Sequence, residues 1–134
     1  MTQIQLWKDR EKQILDPKLF SEVAEKMAKE MALDHENSRG KENKRTQIRR
    51  FYDEVIRLDL LSKKEVSNWQ LVLPMVHMLT AKAAYAKGRK LISDGFLAFI
   101  KSGVDQIHTQ SDLEAFSNFF EAFMGFYRMH GPNN

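Results

Sequence analysis

Two short segments of the chain concentrate positively charged side chains of the kind that bind phosphate. Between residues 39 and 50 there is one acid, Glu42, and there are six basic residues: Arg39, Lys41, Lys44, Arg45, Arg49 and Arg50. Between residues 82 and 101 there is one acid, Asp94, and there are five basic residues: Lys82, Lys87, Arg89, Lys90 and Lys101. Arginine presents a planar fork of donors to a phosphate, and lysine a point charge on a flexible stem. The two segments favour a positive face that binds a polyanion, the alternative being ordinary solvated surface.

Two tyrosines accompany these cations. Tyr52 follows the first basic segment and Tyr85 lies within the second. Each is suited to stacking on a nucleic-acid base or to packing half-exposed against the core. The chain has no recognition-helix, zinc-finger or RNA-motif signature, so its residues favour sequence-independent binding along a phosphate backbone. The predicted nucleic-acid-binding residues are Lys44, Arg45, Arg49, Arg50, Tyr52, Lys82, Tyr85, Lys87, Arg89 and Lys90.

Residues that catalyse reactions or bind metals are absent or isolated. The chain has no cysteine, no phosphate-binding glycine loop, and four histidines without a metal-binding partner at helical spacing. The neighbouring Asp34, His35 and Glu36 have the chemistry of acids and bases, but adjacent residues of a polar loop do not point together. His77, in an apolar segment, is expected to be a hydrogen-bonded core or interface residue. We predict no enzymatic activity, no catalytic residue, no metal site and no cofactor.

The composition is that of one folded domain. Of the 134 residues, 43% are hydrophobic and 29% charged, and the net charge is +3, which is ordinary for a soluble globular protein. No apolar run approaches about 18 residues, and residues 1–13 carry charges throughout, so neither a membrane span nor an export signal is expected. We predict a single cytoplasmic domain without disulfides.

Five segments have the three- and four-residue spacing of apolar side chains that is typical of helices. The first helix is expected to open at Asp16 and Pro17, a good N-cap followed by a good first helical residue, and to end near Leu33. Residues 1–15 are expected to form a loosely packed arm or a short helix. Residues 34–43 contain a glycine and no apolar side chain, which predicts a polar loop.

The second helix carries the first basic segment and is expected to span residues 44–61. Its apolar stripe consists of Ile48, Phe51, Val55 and Leu58. Its arginines lie on other faces of the helix, and Asn43 or Thr46 is the candidate cap. Ser62 and Glu65 have the spacing of a capping box, which predicts that a new segment begins there.

The remaining helices are more apolar. Residues 68–87 are apolar on most sides and predict the most buried helix, with a kink or a start at Pro74 and a left-handed end at Gly88. A fourth helix is expected over residues 91–108. A capping box at Ser111 and Glu114 opens a last helix with a stripe of phenylalanines. We therefore predict an all-α fold, a compact bundle of about five helices, as a single domain over residues 1–134.

Three separated blocks of the sequence carry a family resemblance. They read Thr-Gln-Ile-Arg-Arg-Phe-Tyr at 46–52, Ala-Ala-Tyr-Ala-Lys-Gly-Arg at 83–89 and Phe-Ser-Asn-Phe-Phe-Glu-Ala at 116–122. In this order they resemble the small helical subunit of type III-A CRISPR effector complexes, the Csm type, over roughly residues 44–130. The resemblance implies several copies stacked along the backbone subunits that hold the guide RNA, with basic residues facing the target RNA.

The resemblance also implies a role without catalysis, because other subunits of such complexes carry RNA cleavage, DNA cleavage and cyclic oligoadenylate synthesis. The implied function is to bind target RNA along the guide duplex and to scaffold the complex in antiviral defence. The implied partners are that duplex, other Csm subunits and further copies of this chain, with no membrane. Two alternatives stay open: a helical protein-protein adaptor without nucleic-acid binding, and a helix-turn-helix protein that binds duplex DNA.

Overall fold

The computed structural model describes residues 4–64 and 69–134, and within these ranges it is all-α and has no β-strand. The predicted fold class is confirmed. The described residues form five α-helices: α1 (Ala24–Asn37), α2 (Arg45–Lys64), α3 (Trp69–Gly88), α4 (Asp94–Asp105) and α5 (Gln110–His130). A stretch of π-helix, Leu19–Val23, leads directly into α1.

The core is built around α5, whose phenylalanine stripe meets α4. Phe99 of α4 lies 5.2 Å from Phe120 and 5.7 Å from Phe123, measured between ring centroids, and all three rings are fully buried. Aromatic pairs in such arrangements stabilise a fold beyond the area that they bury. α5 also packs against α1 and α2, whereas α3 packs against α4 and α2.

The prediction that α3 is the most buried helix is wrong. Five of its 20 residues are buried, against nine of 21 in α5. The buried residues of α3 recur at three- and four-residue steps, so they form one stripe toward its neighbours α2 and α4. Other apolar residues of α3 face outward, and Leu71 and Met78 are 68% and 52% exposed. A helix at the edge of a bundle has one face to bury, however apolar its remaining faces are.

The expectation of a loosely packed N-terminal arm is also wrong. Leu6 and Trp7 are buried, although neither lies in a helix. The Gln106 side chain accepts a hydrogen bond from the Leu6 N–H at 2.8 Å and donates one to the Ile4 carbonyl at 2.8 Å. Helical periodicity does not reveal this segment, because a non-helical segment packs through individual side chains rather than through a repeating face.

The polar loop is shorter than predicted. α1 continues to Asn37, past its predicted end near Leu33, so the loop covers residues 38–44. At the other end of this helical segment, the first turn begins at Leu19 rather than at Pro17. Within the loop the Ser38 hydroxyl accepts a hydrogen bond from the Glu42 N–H at 2.8 Å, and His35 Nδ1 lies 2.7 Å from the Glu42 carbonyl. These contacts give the loop a defined shape.

Several helix ends differ from their predicted positions. α2 continues to Lys64, so Ser62 lies inside it, and Glu65 of the predicted capping box is outside the described residues. α3 already begins at Trp69, and Pro74 lies within it.

α3 ends at Gly88 as predicted, but the left-handed residue of the turn is Lys90, with φ 61°. α4 is shorter than expected and is capped by Ser93. The capping box of α5 forms two residues earlier than predicted, between Thr109 and Asp112.

Candidate nucleic-acid interface

A groove of about 310 Å³ runs between α2 and α3. Arg50 and Glu54 line it from α2, Lys82 and Tyr85 line it from α3, and Arg89 lines it from the turn that follows. Four of the predicted binding residues therefore meet in one groove, and they come from both basic segments. The reason is helical spacing: Lys82, Tyr85 and Arg89 follow at steps of three and four residues, so they share one side of α3 and its end.

Two of the cations in the groove are available to an anion. In the described parts of the chain, neither Arg50 nor Arg89 is within 4.0 Å of a carboxylate oxygen. The Arg89 guanidinium lies 5.8 Å from the centroid of the Tyr85 ring, in the range of a cation–π contact. Tyr85 is 68% exposed. The groove thus combines free positive charge with an accessible aromatic ring, the two features that single-strand binding uses.

Glu54 is the one acid among the described residues of this groove, and sequence reasoning missed it. Its carboxylate accepts hydrogen bonds from Arg57 Nε at 2.8 Å and Nη2 at 3.0 Å, and from Lys82 Nζ at 3.2 Å. The hydrogen bonds from Arg57 lower the pKa of Glu54, burial opposes them, and Lys82 reinforces them. The three-residue spacing of Glu54 and Arg57 is a sequence signal for their pairing. No sequence signal predicts the contact of Glu54 with Lys82, because the two residues lie on different helices.

Arg49 and Arg50 lie on different sides of α2, because consecutive residues of an α-helix are about 100° apart. Arg50 reaches the groove, whereas Arg49 is exposed outside it, with its Nε 3.9 Å from Asp53 Oδ1. The two arginines therefore cannot act as one cluster in the groove.

The other predicted residues of the first basic segment lie outside the groove. Lys44 is exposed just before α2. Arg45 is half-buried and donates a hydrogen bond from Nη2 to the Asn133 carbonyl at 2.8 Å. Tyr52 packs half-buried against Phe120, with ring centroids 5.5 Å apart, and burial raises the pKa of its hydroxyl. For Tyr52 the packing alternative fits better than base stacking.

The last two predicted residues lie in the last turn of α3 and in the turn that follows it. Lys87 is half-buried, and its Nζ lies 3.6 Å from Asp94 Oδ1. Lys90 is exposed, at the left-handed position of the turn. Both lie near the end of the groove that Arg89 lines, but neither lines it.

The two basic segments are held beside each other by Asn43, which is fully buried. Its backbone N–H donates to the Leu91 carbonyl at 3.0 Å, and its carbonyl accepts a hydrogen bond from the Tyr127 hydroxyl. Asn43 therefore ties the start of α2 both to the turn that follows α3 and to α5. Sequence reasoning treated this residue as a candidate helix cap only.

The histidines do not form a site. His77 is exposed on α3, so the prediction of a core residue is wrong, and its role at an interface stays a prediction. Over residues 4–64 and 69–134, no group of three or more His, Asp or Glu side chains is arranged to hold a metal ion. Within the same ranges, no helix is long and apolar enough to span a bilayer.

Comparison with known proteins identifies the family. The family model described as Csm2 Type III-A matches residues 15–133, a range that begins well before the blocks of the sequence resemblance. No curated protein and no solved structure matches the chain significantly. Because the family match covers nearly the whole chain, this protein belongs to the Csm2 Type III-A family and is a small subunit of type III-A CRISPR complexes.

Proposed function

We propose that this subunit binds target RNA, without sequence specificity, in the groove between α2 and α3. The observation that supports this most is the meeting of Arg50, Lys82 and Arg89, from two distant basic segments, beside the exposed ring of Tyr85. Phosphates of the strand lie against the cations, and the release of counterions supplies most of the binding free energy. Because no base-reading element accompanies the cations among the described residues that line the groove, the subunit follows the backbone of any sequence that the guide selects.

The proposed role is non-catalytic and cytoplasmic, in antiviral defence. Family membership supports it, since the family supplies a structural subunit of the complex. The other Csm subunits are its partners in the complex, and further copies of this chain and the guide–target duplex are proposed partners.

The scaffolding part of the proposal is supported by the outer side of α3. Leu71, Met75 and Met78 lie at steps of four and three residues, so they form one exposed stripe. Contiguous apolar surface of this kind marks interaction sites, and methionine adapts well to a partner. We propose that this apolar stripe contacts another subunit of the complex.

The alternative function, a protein-protein adaptor without nucleic-acid binding, is favoured by the same apolar stripe. In that case the groove cations complement an acidic partner, and RNA is not bound even at low salt. A helix-turn-helix DNA-binding protein differs from both, because it prefers duplex DNA with a defined site.

The test is a titration of fluorescent single-stranded RNA with the purified protein over a series of salt concentrations, with duplex DNA as the competing ligand. The key variant is Arg50→Ala/Arg89→Ala. The matched control is Lys26→Ala/Lys29→Ala, which removes two exposed charges from α1. We expect the groove variant to bind more weakly and to reduce the salt slope by about 1.4, since each phosphate contact on a single strand contributes about 0.7.

The control variant is expected to bind like the wild type, and all proteins should have the same helical circular dichroism. The titration is repeated on the reconstituted complex, because a site completed by neighbouring subunits binds RNA only there. Equal affinity of the groove variant and the control, in the isolated protein and in the complex, would contradict the proposal.

A further inference from the structure

The α2–α3 groove is partly neutralised by its own acid. Glu54 Oε2 lies 3.2 Å from Lys82 Nζ, which is the one ion pair between α2 and α3 in the described residues. The Glu54 side chain is 20% exposed, and it also accepts the two hydrogen bonds from Arg57. A phosphate that enters the groove therefore meets Lys82 already engaged by a carboxylate.

We propose that Glu54 competes with RNA for Lys82: its carboxylate holds Lys82 across the groove until a phosphate of the RNA takes the place of the carboxylate. This inference rests on the proposed function and deepens it, because it locates the strand on the α3 side of α2. Glu54 then lowers the affinity of the groove for any anion. An RNA strand displaces the Glu54 carboxylate from Lys82 because several of its phosphates bind the groove together, whereas a single anion does not displace it.

A neighbouring ion pair provides the contrast. Asp53 precedes Glu54 by one residue, but it lies about 100° around the helix, outside the groove, with Arg49 as its partner. That pair is 3.9 Å long and both side chains are 64% exposed, so water screens it. If the RNA strand lies in the groove, its affinity depends on the charge of Glu54. If it lies along the outer face of α2, its affinity depends on the charge of Asp53.

The expected effect of Glu54→Gln follows from electrostatics. Glutamine keeps the size of the side chain and removes its negative charge, so Lys82 becomes free to contact a phosphate. We expect single-stranded RNA to bind about fivefold tighter at low salt, and the salt slope to become steeper by about 0.7 for one additional contact. A purely structural role for Glu54 predicts the opposite, weaker binding through a less stable fold.

The experiment is a double-mutant cycle on the full-length chain. Wild type, Glu54→Gln, Lys82→Ala and the double variant are titrated against the same RNA over the same salt series, with Asp53→Asn as the matched control. If Glu54 acts by occupying Lys82, its gain in affinity disappears in the Lys82→Ala background. Asp53→Asn should bind RNA within about twofold of the wild type, because an exposed pair contributes little. Thermal unfolding of each variant verifies that the fold is intact.

Two results would overturn the inference while leaving RNA binding standing. One is a Glu54→Gln variant that binds no tighter than the wild type, with an unchanged melting temperature. The other is a gain for Asp53→Asn that exceeds the gain for Glu54→Gln, which would place the strand on the outer face of α2. Absence of RNA binding by all variants, including in the reconstituted complex, would instead refute the proposed function and this inference with it.

Discussion

Asn43 and Ser93, 50 residues apart in the chain, are joined by a reciprocal pair of hydrogen bonds. Asn43 Nδ2 donates to Ser93 Oγ at 2.8 Å, and the Ser93 N–H donates to Asn43 Oδ1 at 2.9 Å. Ser93 Oγ also donates to Asp34 Oδ2 at 2.7 Å and caps α4. Asn43 lies within the first basic segment, and Ser93 lies within the second. This buried pair therefore fixes the two basic segments relative to each other.

The first prediction concerns this pair. Asn43→Ala leaves the buried Ser93 N–H without its acceptor, and it places alanine at a left-handed residue with φ 59°. We expect a loss of about 2 to 4 kcal/mol in the free energy of unfolding, measured by urea denaturation. Asn37→Ala, at the exposed end of α1, is the control and should change stability by less than about 0.5 kcal/mol. Similar stability of the two variants would contradict the role of Asn43.

The second prediction contrasts two helical glycines. A methyl group at Gly103 of α4 would overlap the ring of Phe116, whereas a methyl group at Gly125 of α5 would point into open space away from its own helix backbone. Gly103→Ala should destabilise the protein by about 1 to 3 kcal/mol through overpacking. Gly125→Ala should stabilise it by about 0.5 to 1 kcal/mol, because alanine is the better helix former. The melting temperatures should therefore shift in opposite directions, and a Gly103→Ala variant that melts no lower than the wild type would show that the contact of α4 with α5 is looser than described.

The third prediction concerns Asp112, the buried carboxylate at the start of α5. Its oxygens accept four hydrogen bonds of 2.7 to 2.9 Å, from the Trp7 indole, the Arg10 guanidinium and the backbone N–H groups of His108 and Thr109. Burial by itself would raise the pKa of Asp112, but these donors outweigh it and lower the pKa. A lowered pKa in the folded state means that this carboxylate stabilises the fold above its unfolded pKa of about 4, and that the contribution is lost as the pH falls through the folded value.

Asp112→Asn is accordingly expected to cost about 2 to 3 kcal/mol at neutral pH. The difference from the wild type should narrow as the pH falls below about 4, the unfolded pKa, toward the lower folded pKa at which the carboxylate is protonated in the folded state too. Urea denaturation over a pH series measures both effects. Asp105→Asn, on the exposed side of α4, serves as the control and should follow the wild-type curve. A difference for Asp112→Asn that does not depend on pH would contradict the electrostatic explanation.

The fourth prediction tests the apolar stripe of α3. Met75→Gln/Met78→Gln removes apolar contact area while keeping two good helix formers, so the melting temperature should not fall. If the stripe contacts another subunit, the affinity of the variant for the reconstituted complex should fall about tenfold or more, since buried interface side chains contribute most of the binding free energy. Leu33→Gln, which removes an exposed apolar residue from α1, is the control. Normal incorporation of the α3 variant would locate the interface elsewhere.

Much of the fold was predictable because the signals for helices are local. The stripe of Ile48, Phe51, Val55 and Leu58 repeats at helical spacing, and all four residues are buried in α2. The two basic segments and the phenylalanine stripe of α5 were likewise visible in the sequence. Helix ends were predicted less well, since several residues at each end have capping chemistry and packing selects among them, as between Ser111 and Thr109.

The sequence by itself determined the helical class, the family resemblance and the residues that carry positive charge. Only the tertiary structure decided which cations share a groove, because spacing along a helix fixes the side of that helix and not the element beside it. Arg50 therefore separates from Arg49, and Lys82 of α3 meets Glu54 of α2, as a result of packing between helices. The same limit explains α3: an apolar sequence permits burial, but the number of neighbouring helices sets how much of it is buried.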